Sequence, residues 1–93
     1  MPLRRINYQN SLIYIIKTHE KHFIGCTTNF SSCKYKHKEI IFLTERPNKL
    51  YNTIRANDYE WKMELLHKFP CNNKLELLQE LDSVIQRLNP ELN

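Results

Sequence analysis

Between Ser11 and Lys17 the chain reads SLIYIIK, a β-branched and aromatic run whose alternate positions fall on two faces. Leu12, Tyr14 and Ile16 line one face and Ile13 and Ile15 the other, which predicts a strand. Thr18–Lys21 is polar and turn-like, and His22–Gly25 resumes the extended pattern, so the pair reads as an antiparallel hairpin. The segment Thr27–Ser32 then offers several N-cap candidates to a helix carrying Cys33 to about Phe42. Arg46-Pro47-Asn48 punctuates, with Pro47 suited to a first helical position, and Leu50, Tyr51 and Ile54 mark a short amphipathic helix. Trp61, Met63, Leu65, His67 and Phe69 alternate with Lys62, Glu64 and Lys68, predicting a third strand. Asn73, followed three residues later by Glu76, resembles a capping box. Beyond it Leu77, Leu78, Leu81, Val84, Ile85 and Leu88 form a helical stripe that Asn89-Pro90 stops. The order is β-β-α-α-β-α, a small α+β domain over residues 11–93 preceded by a basic arm, residues 1–10.

Composition narrows the chemistry. The 93 residues, 41% hydrophobic and 26% charged, suit one globular domain. They include a single glycine, Gly25. A phosphate-cradling P-loop and a dinucleotide fingerprint each need two or more glycines, so both are excluded, and ATP-driven phosphoryl transfer and hydride transfer lose support with them. No apolar run approaches a membrane span. The opening MPLRRINYQN has no apolar core of the kind a secretory signal needs, which predicts an intracellular protein that is not secreted.

The net charge of +4 is unevenly distributed. Up to Lys38 there are seven basic residues (Arg4, Arg5, Lys17, Lys21, Lys34, Lys36, Lys38) against Glu20 alone, a balance of +6; beyond it seven basic residues meet nine acidic ones, a balance of −2. A one-sided positive field suits a polyanion, and the alternation of Lys34, Lys36 and Lys38 fans them over a wide helical arc able to touch phosphates without reading bases. Cys26, Cys33 and Cys71 form no CxxC pair and are expected as reduced thiols. His22, Cys26, Cys33 and His37 have zinc-capable side chains, but their spacing matches no standard finger; ordinary thiols and surface histidines are expected, with no metal.

Several short motifs fall in a distinctive order: LIY at Leu12–Tyr14, FIG at Phe23–Gly25, Thr27, His37 twelve residues after the glycine, LYNTIRAN-x2-EW at Leu50–Trp61, and PELN at Pro90–Asn93. Together they resemble the GIY-YIG nuclease domain of homing endonucleases and nucleotide excision repair nucleases. The central block and the ending are most similar to versions in large DNA viruses. The resemblance spans Leu12 to Asn93 and implies a three-stranded antiparallel sheet flanked by helices. It also implies a host-cell cytoplasm, nucleus or virion as the setting.

In active members, the resemblance implies, a tyrosine in each half of the name motif handles the attacking water and the phosphate. An arginine on the first helix stabilises developing charge, and a glutamate on the last helix holds a divalent metal. Tyr14 matches the first tyrosine, whereas Phe23 occupies the second place without a hydroxyl. Cys33 stands where the arginine belongs, with Lys34 about 100° away around the helix. Leu81 stands where the glutamate belongs, between Glu80 and Asp82, and hydrocarbon binds no hard cation.

The expectation is therefore a non-catalytic domain with a vestigial site (Tyr14, Phe23, Cys33, His37, Leu81) and no cofactor. Arg4, Arg5, Lys21, Lys34, Lys36 and Lys38 would contact DNA or RNA. Trp61 and Tyr59 could stack on bases, although strand alternation makes Trp61 a core residue by preference. Two alternatives stand beside this reading. One is a rewired Mg2+- or Mn2+-dependent endonuclease in which Glu76, Glu80 or Asp82 supplies the metal ligand and Lys34 or Lys36 serves for the arginine. The other is a structural or virion protein whose old cleft has become an interface with a protein partner or a second copy.

Overall fold

The computed structural model describes residues 7–44 and 48–93. Its elements are β1 (Leu12–Thr18), β2 (Lys21–Thr27), α1 (Phe30–Leu43), α2 (Lys49–Ala56), β3 (Lys62–Lys68) and α3 (Lys74–Leu88). The strands form one antiparallel sheet in the order β2-β1-β3. The architecture is the expected small α+β domain with helices on both faces of the sheet.

Alternation along β1 sorts the core into two halves. On one face Tyr14 and Ile16 pack with Met63 of β3, Ile41 of α1, and Leu50, Tyr51 and Ile54 of α2. On the other, Ile13 packs with Ile24 of β2, Leu77 and Val84 of α3, and Cys71. Both faces of β1 are needed, which is why this central strand is apolar almost throughout.

Boundaries shift where local hydrogen bonding outweighs composition. The hairpin turn is His19-Glu20 alone, because Thr18 and Lys21 already pair, and His19 takes a left-handed φ of 55°. The first strand-to-helix loop is shorter than expected. Asn29 caps α1, its side chain accepting from Ser32 N, so the helix begins at Phe30. Asn48 caps α2, placing Lys49 at the first helical position; Arg46 and Pro47 lie outside the described residues. On α3, Asn73 accepts from Glu76 N, while the Glu76 carboxylate reaches back to Asn72 N, one residue before the cap. Within its stripe Leu77 and Val84 are buried and Leu81 and Ile85 half-buried, but Leu78 and Leu88 are exposed. A helix turns 100° per residue, so a row this wide overhangs the contact.

The third strand departs most from its simple alternation. Ile13 faces His67 and Tyr14 faces Leu65, so Leu66 is an extra residue, a β-bulge. One inserted residue reverses the facing of everything after it. Trp61 and Met63 pack on the Tyr14 face, whereas Phe69 joins the Ile13 face and His67 meets Glu80 of α3 at 2.8 Å. Leu65 is left exposed.

The C-terminal PELN covers the open edge of β2. Leu92 N donates to His22 O at 3.0 Å, and His22 N donates to the Glu91 carboxylate at 2.9 Å. The Asn93 amide takes both backbone groups of Ile24, accepting from its N–H and donating to its carbonyl, each at 2.7 Å. Leu92 is buried on the Tyr14 face, so the tail wraps the edge from the α3 layer to the α1 layer. An edge covered in this way cannot template pairing with another strand. At the other end of the described chain, Tyr8–Asn10 form a 3-10 turn, and Tyr8 O accepts from Cys71 N at 3.0 Å. Arg4 and Arg5 lie outside the described residues.

Candidate functional site

Tyr14, at the centre of β1, pairs across the hairpin with Gly25 of β2, and its ring lies over that glycine. A Cβ at Gly25 would stand 2.5 Å from Tyr14 Cζ and 3.0 Å from Cε2, with Oη closer still. The chain's only glycine is therefore required for space; its φ is not in the left-handed range.

Held this way, Tyr14 Oη lies 2.9 Å from Nε2 of His37, a residue on the inner face of α1. The other imidazole nitrogen, Nδ1, is 2.9 Å from Oη of Tyr51 on α2. One histidine thus joins β1, α1 and α2 through two tyrosine hydroxyls. Phe23 completes an aromatic box, its ring centroid 6.5 Å from both Tyr14 and His37. Cys33, one turn before His37, packs against the same cluster.

Burial sets the protonation states. It holds the His37 imidazolium below its ordinary range, so the ring is neutral, with one donor and one acceptor nitrogen to match its two hydroxyl neighbours. Burial, reinforced by the Cys33 thiol beside it, pushes the Tyr14 phenol far above its usual range, and Tyr14 remains a phenol at any physiological pH. Burial likewise raises the Cys26 thiol. The network is satisfied, and no buried side-chain nitrogen or oxygen among the described residues lacks a partner.

Of the five residues expected to share a site, four, Tyr14, Phe23, Cys33 and His37, share one neighbourhood. Leu81 does not join them: it packs with Ile13, Leu77 and Val84 on the opposite face of the sheet. The carboxylates near it are engaged there too. Glu80 binds His67, Glu76 binds Asn72 N, and Asp82 accepts from Gln86. Around Tyr14 and His37 the oxygens are phenolic, and among the described residues no group of three or more His, Cys, Asp or Glu side chains could hold a metal ion. Magnesium and manganese need hard carboxylate or carbonyl oxygens, so this donor set does not fit them.

His22, Cys26, Cys33 and His37 do not converge as a set of four, although Cys33 and His37 are neighbours. His22 faces Glu91, at 3.5 Å, and the two cysteines belong to different core halves. His22 has the exposed side chain expected of it, whereas His37 is half-buried and bonded through both ring nitrogens. Glu91 is held below the ordinary carboxylate range by its own backbone N–H and by that of His22.

Two contributions escape a reading by pattern. Tyr51 reads as one more apolar position of α2, yet its hydroxyl is the second anchor of His37. Arg55, four residues on, sends Nε to Ile41 O at 3.3 Å and Nη2 to Ile40 O at 3.1 Å and Thr44 O at 2.7 Å. It thereby neutralises the carbonyl end of α1. The spacing Tyr51-x3-Arg55 puts both on the side of α2 that meets α1, the one signal available beforehand.

Lys34, Lys36 and Lys38 are exposed on α1, and Lys21 is exposed at the hairpin on the same sheet face as Phe23. Among the described residues none of these four is ion-paired; the observed pairs are Lys17–Glu64, His22–Glu91 and His67–Glu80. No family model, curated protein or solved structure matches this chain. No described helix is long and apolar enough to cross a membrane.

Proposed function

We propose that this chain is a non-catalytic domain of GIY-YIG-like design that binds DNA or RNA through the cationic side formed by α1 and the hairpin. The observation that carries the reading is the distribution of charge. On the α1 side Lys21, Lys34, Lys36 and Lys38, exposed and without an ion pair among the described residues, outnumber Glu20 and Glu39, whereas on α3 across the sheet Glu76, Glu80 and Asp82 outnumber Lys74 and Arg87. Free cations gathered on one side attract a phosphate backbone and release its counterions.

The aromatic cluster supports the non-catalytic part of the reading. Hydrolysis of a phosphodiester in the manner of the family calls for a metal-bound carboxylate. The resemblance assigns that role to the position of Leu81, a hydrocarbon side chain that packs in the other core half from Tyr14 and His37. The rewired endonuclease would need Glu76, Glu80 or Asp82 to leave its present partner and cross a packed sheet. In this reading the Tyr14–His37–Tyr51 chain fastens α1 to the sheet, and the binding helix is rigid because of it.

An electrophoretic shift at about 50 and 200 mM salt, run beside a cleavage assay in magnesium and manganese, tests both halves. A shift that weakens steeply with salt, with the nucleic acid intact, is expected. Cleavage lost on Glu80→Ala would establish the endonuclease instead. Absence of binding together with dimerisation would favour the structural alternative.

A further inference from the structure

The outer face of α1 carries apolar residues that the core does not use. Tyr35 is 67% exposed, Phe42 51%, Leu43 75%, and Tyr59, from the loop after α2, 44%. Tyr35, Lys38 and Phe42 follow one another at i, i+3 and i+7, so they form a single stripe pointing away from His37 and Ile41. Tyr35 and Phe42 are about 10 Å apart along the axis, with Lys38 between them in the stripe. Lys34 lies one turn before Lys38 on the same flank.

The stripe is extended by Tyr59, whose ring stacks on Phe42 with centroids 5.2 Å apart and planes 17° from parallel. That ring is presented at a backbone cost. Asp58 and Tyr59 both adopt left-handed φ, 59° and 63°, unusual for a bulky aromatic residue. Tyr59 N donates to Ile54 O at 2.9 Å, which fixes the turn. Shallow clefts of about 190 Å³ and 520 Å³ flank Phe42, one bordered by Tyr35 and Lys38, the other by Asn52 and Tyr59.

From these observations we infer that the outer face of α1 is a platform for single-stranded nucleic acid, with bases stacking on Tyr35, Phe42 and Tyr59 and phosphates held by Lys34 and Lys38. Exposed aromatic rings interleaved with unpaired lysines are what a flexible polyanion with flat bases requires. In a duplex the bases are already stacked and cannot use the rings. Glu39 is the one carboxylate in the stripe and opposes binding. The inference rests on the nucleic-acid reading above and narrows it to unpaired strands.

The test is fluorescence anisotropy of the full chain with labelled dT12 and with a 12-base-pair duplex, at about 50 and 200 mM salt. Wild type should bind dT12 more tightly than the duplex. Phe42→Ala and Tyr59→Ala should each weaken dT12 binding by about 5- to 100-fold, the range of one lost base stack, and leave duplex binding unchanged. Tyr35→Ala, at the most exposed aromatic, should do the same with the circular dichroism of wild type. Lys38→Gln should weaken both ligands and reduce the salt slope by about one, and Glu39→Gln should strengthen both. Duplex binding that equals or exceeds dT12 binding, with the aromatic variants neutral, overturns the platform and leaves the broader reading standing. Failure to bind either ligand overturns both. A dimer dissolved by Phe42→Ala, with dT12 binding unaltered, overturns the platform in favour of a protein interface.

Discussion

Gly25→Ala isolates the contact on which the aromatic cluster depends. The added Cβ would stand 2.5 Å from Tyr14 Cζ, whereas carbon atoms rest about 3.5–4.0 Å apart. The ring must withdraw by about an ångström. Tyr14 is only 4% exposed and packed against Phe23 and His37, so withdrawal strains a filled core. Overpacking of this kind costs about 1–3 kcal/mol. Displacing Oη from Nε2, now at 2.9 Å, forfeits a hydrogen bond worth about 0.5–1.5 kcal/mol. The expected loss is about 2–4 kcal/mol, a large part of the ~5–15 kcal/mol that holds a domain together. Urea denaturation followed by the fluorescence of the single tryptophan, Trp61, and by far-ultraviolet circular dichroism reads it directly. The decisive comparison is a double-mutant cycle. In a Tyr14→Ala background the new methyl enters vacated space, so Gly25→Ala should cost almost nothing or stabilise, with a coupling above about 1.5 kcal/mol. An equal cost in both backgrounds, or less than about 0.5 kcal/mol in wild type, would refute the argument that Tyr14 is what forbids a side chain there.

Three further outcomes follow from the same geometry. Burial lowers the His37 pKa, so its contribution to stability is fully present above the unfolded value near 6.5 and is lost as pH falls through the folded value. The stability difference between wild type and His37→Gln should therefore narrow on acidification from pH 7.5 to 5, and a constant difference would contradict it. Asn93→Ala removes two bonds to the β2 edge and should cost about 1–2 kcal/mol, accelerating amide exchange at Ile24; unchanged protection there would deny the tail its edge-covering role. His19→Gly relieves a left-handed residue in the hairpin turn and should stabilise by up to about 1 kcal/mol, raising Tm by a few degrees in a scanning calorimeter.

The family resemblance begins with the word-like fragments LIY, FIG and PELN, and each fragment has a mechanical explanation in the fold. The Gly25 that ends FIG gives way to the Tyr14 that ends LIY, and PELN closes the β2 edge. Arg55, in the central block, caps α1 and holds it against α2. These residues maintain the shape of the domain.

What could be read along the chain was whatever depends on near neighbours. The split of β1 into Tyr14 and Ile13 faces follows from strand periodicity, and the Asn73 cap and α3 stripe follow from interactions within one or two turns. The count of cations before Lys38 and the lone glycine likewise need no coordinates. Pairing between distant segments decided the remainder. The bulge at Leu66 belongs to the register of β3 on β1, and no alternation within β3 can reveal it. His37 acquired its second hydroxyl from Tyr51, fourteen residues away, and Leu81 its place opposite the Tyr14 face, because the chain must cross the sheet to bury both sides of β1. Side-chain type sets what a residue can bond, but the packing of helices on a two-faced sheet chooses which partner it meets.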